Sequence, residues 1–250
     1  MVFYDNPSCR IEMCKYYLKT DKNQVKVASF YSLIRTLFVN LFKTHTITII
    51  CLSNRFYLLI SVVFLSLFKR KFIVCMPELL DTYNLPFFKL SLKRASEIIA
   101  PSYNRKIALS IIYKLPIDTI FVKKNGIKKI NKPKHIKLTG IIYCGILFSS
   151  RDINKGLNNS PENVRIELYG AGDNNYIQNL PRKFNYLGEY SGGEEETILN
   201  NSKSSHGLIY YPENSLNNLL CSPNKYFDYL NSNKSIYIES PKSLKYILCE

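Results

Sequence analysis

Residues 138–153 read LTGIIYCGILFSSRDI, and residues 164–173 read VRIELYGAGD. Each opens as a short apolar run and closes on glycine and polar residues. A run of that length, bounded by a glycine turn, reads as a strand buried on both faces of a sheet. Strands are therefore expected over 140–144 and 164–169. The same unit recurs over 184–187, 207–211 and 235–238, with helical stretches between the runs and a last one over 241–248. Strands alternating with helices at this spacing build parallel βαβ units.

Toward the N-terminus the alternation continues. Strands are expected over 2–4, 25–30, 47–51, 72–75, 98–100 and 119–122. Helices are expected over 10–19, 32–42, 56–68, 87–94 and 105–114. The polar stretch KKINKPKHIK, residues 128–137, carries a proline and reads as a linker. The fold class is α/β, with two Rossmann-like domains of parallel sheet over 1–130 and 137–250, facing each other across a cleft.

Bulk composition bounds the function. At 250 residues and 46% hydrophobic content the chain can bury a core and is not disordered. Its net charge is +15, and the excess is one-sided. Through His135 there are 23 Lys and Arg against 7 Asp and Glu, and beyond it 11 against 12. The first half should therefore seek an anionic surface, membrane or nucleic acid. The seven cysteines are dispersed without metal spacing, which suits a reducing compartment and small core residues. Asp5 and Asn6 follow Met1 closely, unlike a secretory signal. The apolar run 56–68 falls short of the roughly 20 residues that span a bilayer. It reads as a buried helix.

Ligands of doubly wound sheets bind at the C-terminal ends of the strands. In YCGILFSSRDI, Gly145 permits close backbone approach and Arg151 can grip a phosphate; a plain turn with a solvated arginine fits as well. In IELYGAGDNN, Gly170 and Gly172 make a weak phosphate-loop signal, or a tight turn with Asp173 as helix cap. In FNYLGEYSGGEEE, Glu194–Glu196 suit a helix start better than a carboxylate cluster. CSPNKYFDYL is the most specific. Ser222 and Pro223 open a helix whose first N–H groups attract an anion, and Lys225 adds a full charge beside them. Asn224, Lys225 and Asp228 share one face of that helix. The bland alternative is a capped helix with a Lys–Asp surface pair. His45, His135 and His206 suggest no site.

Taken in order, YCG…R, LYGAG, YLG, YYP and SPNKYFDYL resemble the donor half of GT-B glycosyltransferases of the family 4 type, over about residues 140 to 240. EIIAPS and FVKKNGI resemble the end of that family's acceptor half. The resemblance implies sugar transfer from a nucleotide-sugar co-substrate, with retention of configuration and no bound metal or other cofactor. It places Gly145, Arg151, Gly172, Ser222, Asn224 and Lys225 around the donor's nucleotide and diphosphate. Asp228 matches the carboxylate, usually glutamate, that holds the ribose. No catalytic residue is assigned.

The departures are specific. Ile146 stands where the family often has arginine, and Leu220 occupies the position of its first paired glutamate. Pro77 replaces a frequent histidine, and DNPSC replaces a glycine-rich loop. Members run some tens of residues further than Glu250, so a shortened donor half is expected. The acceptor is expected to be a glycan or a lipid-linked glycan in cell-surface glycan synthesis, reached by a cytoplasmic protein at the inner face of the plasma membrane. A non-catalytic relative that keeps the fold is one alternative. A nucleic-acid-binding protein using the basic half is another, though no such motif is present and nucleic acid is not the expected partner.

Overall fold

The computed structural model describes residues 2–4, 24–42, 47–52, 54–76, 86–123, 136–191, 193–220 and 224–238. The chain divides into two compact units, Met1–Asn125 and Gly126–Glu250. The expected helices over 10–19 and 241–248 and most of the linker lie outside the described residues.

The described residues of the first unit carry six strands: β1 (Val2–Tyr4), β2 (Gln24–Lys26), β3 (Thr48–Cys51), β4 (Phe72–Cys75), β5 (Glu97–Ala100) and β6 (Ile120–Val122). All pairings are parallel, in the order β2-β1-β3-β4-β5-β6. β4 is buried along its whole length, as its run FIVC requires. Val2, Ile49, Ile73, Cys75 and Ile99 pack across five places in the sheet as one cluster.

Four helices lie among the described residues of this unit: α1 (Phe30–Leu41), α2 (Arg55–Leu67), α3 (Pro86–Leu92) and α4 (Tyr103–Tyr113). Their starts follow from side-chain caps. Ser29 and Ser32 form a reciprocal capping box at α1, Asn54 accepts from the Phe56 and Tyr57 amides at α2, and Ser102 caps α4. The cap at Ser29 also explains why β2 stops at Lys26 and does not run to Phe30. Right-handed crossovers that advance in one direction from β3 to β6 put their helices on one face. Ring contacts between Phe38 and Phe64 and between Phe88 and Tyr113 join neighbours in that layer.

One expectation is corrected here. The apolar stretch over 56–68 is a helix, but not a buried one. Leu58, Val62 and Leu65 are buried, whereas Phe56 is 54% and Leu67 69% exposed. The reason is architectural: α2 sits in a single helical layer, so only its sheet-facing side is covered.

The second unit holds β7 (Gly140–Cys144), β8 (Arg165–Tyr169), β9 (Phe184–Tyr186), β10 (His206–Ile209) and β11 (Ser235–Ile238), all parallel in the order β11-β10-β7-β8-β9. Its helices are α5 (Asn174–Gln178), α6 (Glu195–Asn201), α7 (Leu216–Leu219) and α8 (Asn224–Asn231). Alternate residues face opposite sides. Ile141, Tyr143, Ile166, Leu168 and Leu208 pack into one core, while Ile142, Cys144 and Ile209 pack with Leu199 of α6 and Tyr229 of α8. Both faces are therefore covered, as the uninterrupted apolar strands imply.

Two buried charges are matched locally. The Lys234 ammonium donates to the carbonyls of Ser202 (3.1 Å) and Ser204 (2.8 Å). The Glu167 carboxylate accepts from the hydroxyls of Ser202 and Ser204 and lies 3.3 Å from Arg165 Nε. These bonds satisfy the polar loop that leads into β10.

α8 docks through Tyr229, which is fully buried and lies flat against Gly207 of β10. A methyl group at Gly207 would meet that ring. Gly207→Ala should therefore lower unfolding stability by about 1–3 kcal/mol through overpacking. Urea denaturation measures this, and a variant as stable as the parent would show that the ring can move aside freely.

Candidate functional site

In the second sheet the chain leaves β7 toward β8 and β9, then returns to the other side of β7 as β10. That reversal creates a crevice outside the C-terminal ends of β7 and β10, the place where open α/β sheets bind ligands. The loops that follow these two strands, and α8, meet there.

Tyr143, the fourth residue of β7, is completely buried. The Lys225 ammonium of α8 rests 4.6 Å from the centre of its ring. Its hydroxyl donates to the Ile146 carbonyl at 3.1 Å. Gly145 lies directly beneath Lys225, and a Cβ at that position would collide with the Lys225 Nζ. The absence of a side chain at Gly145 thus makes room for a protein cation.

Arg151 approaches the same tyrosine from the loop after β7. Burial disfavours its charge, but the electrostatic influence of the neighbouring Tyr143 and Tyr211 phenols outweighs that effect and raises its pKa. The guanidinium also lies 5.2 Å over the Tyr211 ring, just beyond β10. Arg151 and Lys225, 74 positions apart in the chain, are therefore held on one aromatic side chain. Among the described residues neither is ion-paired, so their charge is positioned without being neutralised.

Gly172 belongs to a different arrangement. The backbone of Gly145–Leu147 extends the β7–β8 ladder past the strand ends. Gly145 N donates to Tyr169 O (2.8 Å), Leu147 N to Ala171 O (3.0 Å) and Asp173 N to Leu147 O (3.0 Å). A Cβ at Gly170 would strike Gly145, and one at Gly172 would strike Leu147. These two glycines let one loop lie on the other. Asp173 caps α5 by accepting from the Asn175 amide.

α8 starts at Asn224, so the positive end of its dipole lies next to Lys225. Asp228 follows Lys225 by three residues on α8. Both, together with Glu195, act on the thiol of Cys144 at the end of β7. Burial first, and then Glu195, push that thiol up to about 12, with Lys225 opposing, so it is a protonated core residue. Ser222 lies outside the described residues.

Glu195 was not singled out by the sequence. Of the three consecutive glutamates, Glu194 turns back to accept from the Ser191 amide, which lowers its pKa. Glu195, in the first turn of α6, points inward, and its Oε1 is buried with no hydrogen-bond partner among the described residues. Burial raises its pKa, with Lys225 pulling the other way. The run EEE reads as a helix start because nothing in it distinguishes the inward residue. Tyr143 and Tyr211 were missed because tyrosine is common in strands.

No protein-family model matches the sequence, and no curated protein matches it. Solved structures do resemble it. HepE from Anabaena in complex with UDP-glucose has a TM-score of 0.60 at 12% identity, over 94% of this chain and 79% of that one. The lipopolysaccharide outer core galactosyltransferase WaaB, in its apo form, has a TM-score of 0.51 at 12% identity, over 83% and 72%. UDP-GlcNAc 2-epimerase from Methanocaldococcus jannaschii has a TM-score of 0.50 at 12% identity, over 83% and 77%. At such identities the likeness defines the fold. The chain has the two-sheet α/β fold, GT-B, that these proteins share.

The buried carboxyl of Glu195 yields a signed expectation. Its folded pKa lies above the ordinary value, so ionisation costs stability as pH rises from the unfolded toward the folded pKa and beyond. Glu195→Gln should melt higher than the parent at neutral pH, and the gap should close below pH 4.5, the ordinary carboxylate value. Melting temperatures across that range decide it; a gap independent of pH would mean that Glu195 is solvated, and one of opposite sign that it is paired.

Proposed function

We propose that this protein is a glycosyltransferase whose second unit binds a nucleotide-sugar donor at the crevice beside β7 and β10. The observation that carries the reading is the placement of Arg151 and Lys225 on Tyr143 with neither charge neutralised. Two poised cations at a switch point suit a diphosphate, because charge-assisted bonds to phosphate oxygens are strong. As the sugar–phosphate bond breaks, negative charge grows on the departing nucleoside diphosphate, and the same cations stabilise it. That gives the pair a catalytic use beyond binding, compatible with metal-independent, retaining transfer. Asp228, one turn along α8, accepts hydrogen bonds from the ribose hydroxyls. Ser222, Asn224 and the start of α8 complete the diphosphate contact, and Gly145 and Gly172 shape the loops around it.

The bound UDP-glucose of HepE makes a UDP-sugar the first donor to test. The acceptor is proposed to be a glycan or lipid-linked glycan of the cell surface, met at the cytoplasmic face of the plasma membrane. The charge of the first half supports this, since each well-placed basic side chain adds up to ~1 kcal/mol of attraction to anionic lipid.

A thermal-shift panel of UDP-, GDP- and dTDP-sugars tests the donor, because a ligand that binds only the folded state raises stability. Lys225→Ala and Arg151→Ala should each weaken donor binding by roughly 1.5–3 kcal/mol, the worth of a hydrogen bond to a charged group. Asp228→Asn should weaken it while leaving the fold intact. Unaltered binding in all three variants would reduce the resemblance to one of fold. Donor binding with no transfer to any acceptor would leave a nucleotide-sugar-binding protein.

The membrane part has its own check. Binding to anionic vesicles should fall as salt rises, since screening acts within about 8 Å at physiological ionic strength. Tighter binding to nucleic acid than to lipid would overturn it.

A further inference from the structure

The outer face of the first unit's helical layer is apolar where a soluble surface would be polar. On α1 and just after it, Tyr31 is 77% and Phe42 84% exposed. On α2 the exposed residues are Phe56 and Leu67, followed at its end by Phe68; on α3 they are Phe87, at 76%, and Leu90. Leu59, Ile60, Val63, Phe64, Leu67 and Phe87 line a groove of about 440 Å³ along α2. Its walls are aliphatic and phenyl side chains alone. Single exposed apolar residues are ordinary, but a continuous face of them marks a docking surface.

The charge around that face identifies the occupant. Lys69 and Lys71 follow α2, and Lys93 and Arg94 follow α3; all four are exposed. From Phe30 to Ser96 the described residues include no Asp or Glu. A protein surface offered to this face would normally bring carboxylates to meet the cations and a polar rim to match. An apolar strip with a cationic border, and no acid among its described residues, is instead the pattern of an element lying in a membrane interface. No helix among the described residues is long and apolar enough to cross a membrane.

We propose that the outer face of α1–α3 inserts into the acyl region of an anionic bilayer, with the α2 groove receiving hydrocarbon chains and Phe68 and Phe87 buried at its margin. This rests on the membrane reading above and extends it: electrostatic attraction brings the unit to the surface, and the phenyl groups enter it. Insertion explains why α2 is apolar all round although only one side meets the sheet.

The chain contains no tryptophan, so one introduced residue is an unambiguous probe. Phe87→Trp and Phe68→Trp in the full chain should shift their emission to the blue on vesicles of phosphatidylglycerol and phosphatidylcholine, and brominated acyl chains should quench it. Phe121→Trp, on the edge strand β6 and 46% exposed, should show neither effect. Phe87→Glu should weaken vesicle affinity roughly ten-fold or more, the burial energy of a phenyl side chain, without lowering the melting temperature. If all three tryptophan variants co-sediment with anionic vesicles and none is quenched, insertion is wrong while electrostatic docking stands. If none co-sediments, the membrane reading itself fails. If Phe87→Trp shifts to the blue with rising protein concentration and no vesicles, the face is a contact between copies, and the proposal is overturned.

Discussion

Tyr143 joins parts of the second unit that are distant in sequence. It is the penultimate residue of β7, just before the chain opens into loops, and its ring is fixed by complete burial. Lys225 from α8 lies on one side of it, and Arg151 from the following loop reaches its hydroxyl. An aromatic face attracts a cation without cancelling its charge. A carboxylate in the same place would have made two buried ion pairs, stable but with nothing left for a ligand. The choice of tyrosine therefore separates positioning from neutralisation, which an anion site needs.

The parallel sheet is what allows this convergence. Every strand of the second unit points the same way, so every loop that follows a strand opens at the same edge. β7 lies at the centre with β8 on one side and β10 on the other, and both neighbours deliver loops beside its end. The close stacking of 145–147 on 170–173 then fixes one wall of the crevice by backbone hydrogen bonds. The rigidity of that wall comes from main chain and is indifferent to side-chain identity, except where Gly170 and Gly172 must remain small.

Much of this was legible in the sequence, and the exceptions share a cause. Residues 72–75, 140–144 and 235–238 emerge as strands with the expected limits, because apolar runs closed by turn residues have few alternatives. Arg151 and Lys225 were legible as cations near strand ends. The glycines were legible as points of close approach, but sequence cannot say what approaches. At Gly145 it is the Lys225 ammonium, and at Gly172 another loop. Glu195 was hidden because three identical neighbours differ only in direction, which the turn at Ser191–Glu194 decides. The exposed side of α2 was hidden for a related reason: composition reports that a helix is apolar, whereas exposure depends on how many layers the fold places around it.

The two units treat charge in opposite ways, and the contrast bears on what each can meet. In the second unit Lys234 is buried against two carbonyls and Glu167 against two hydroxyls and Arg165, so each charge is answered within a few residues of space. The cations on Tyr143 have no ion pair among the described residues, and they sit at one point. In the first unit the described residues from Phe30 to Ser96 include cations and no carboxylate, and these cations border an apolar face many side chains wide. A point of concentrated positive charge would suit a compact anion such as a diphosphate. A diffuse cationic border around hydrocarbon would suit an extended anionic surface with an apolar interior. The two arrangements of Lys and Arg are physically distinct, and the second cannot be inferred from the first.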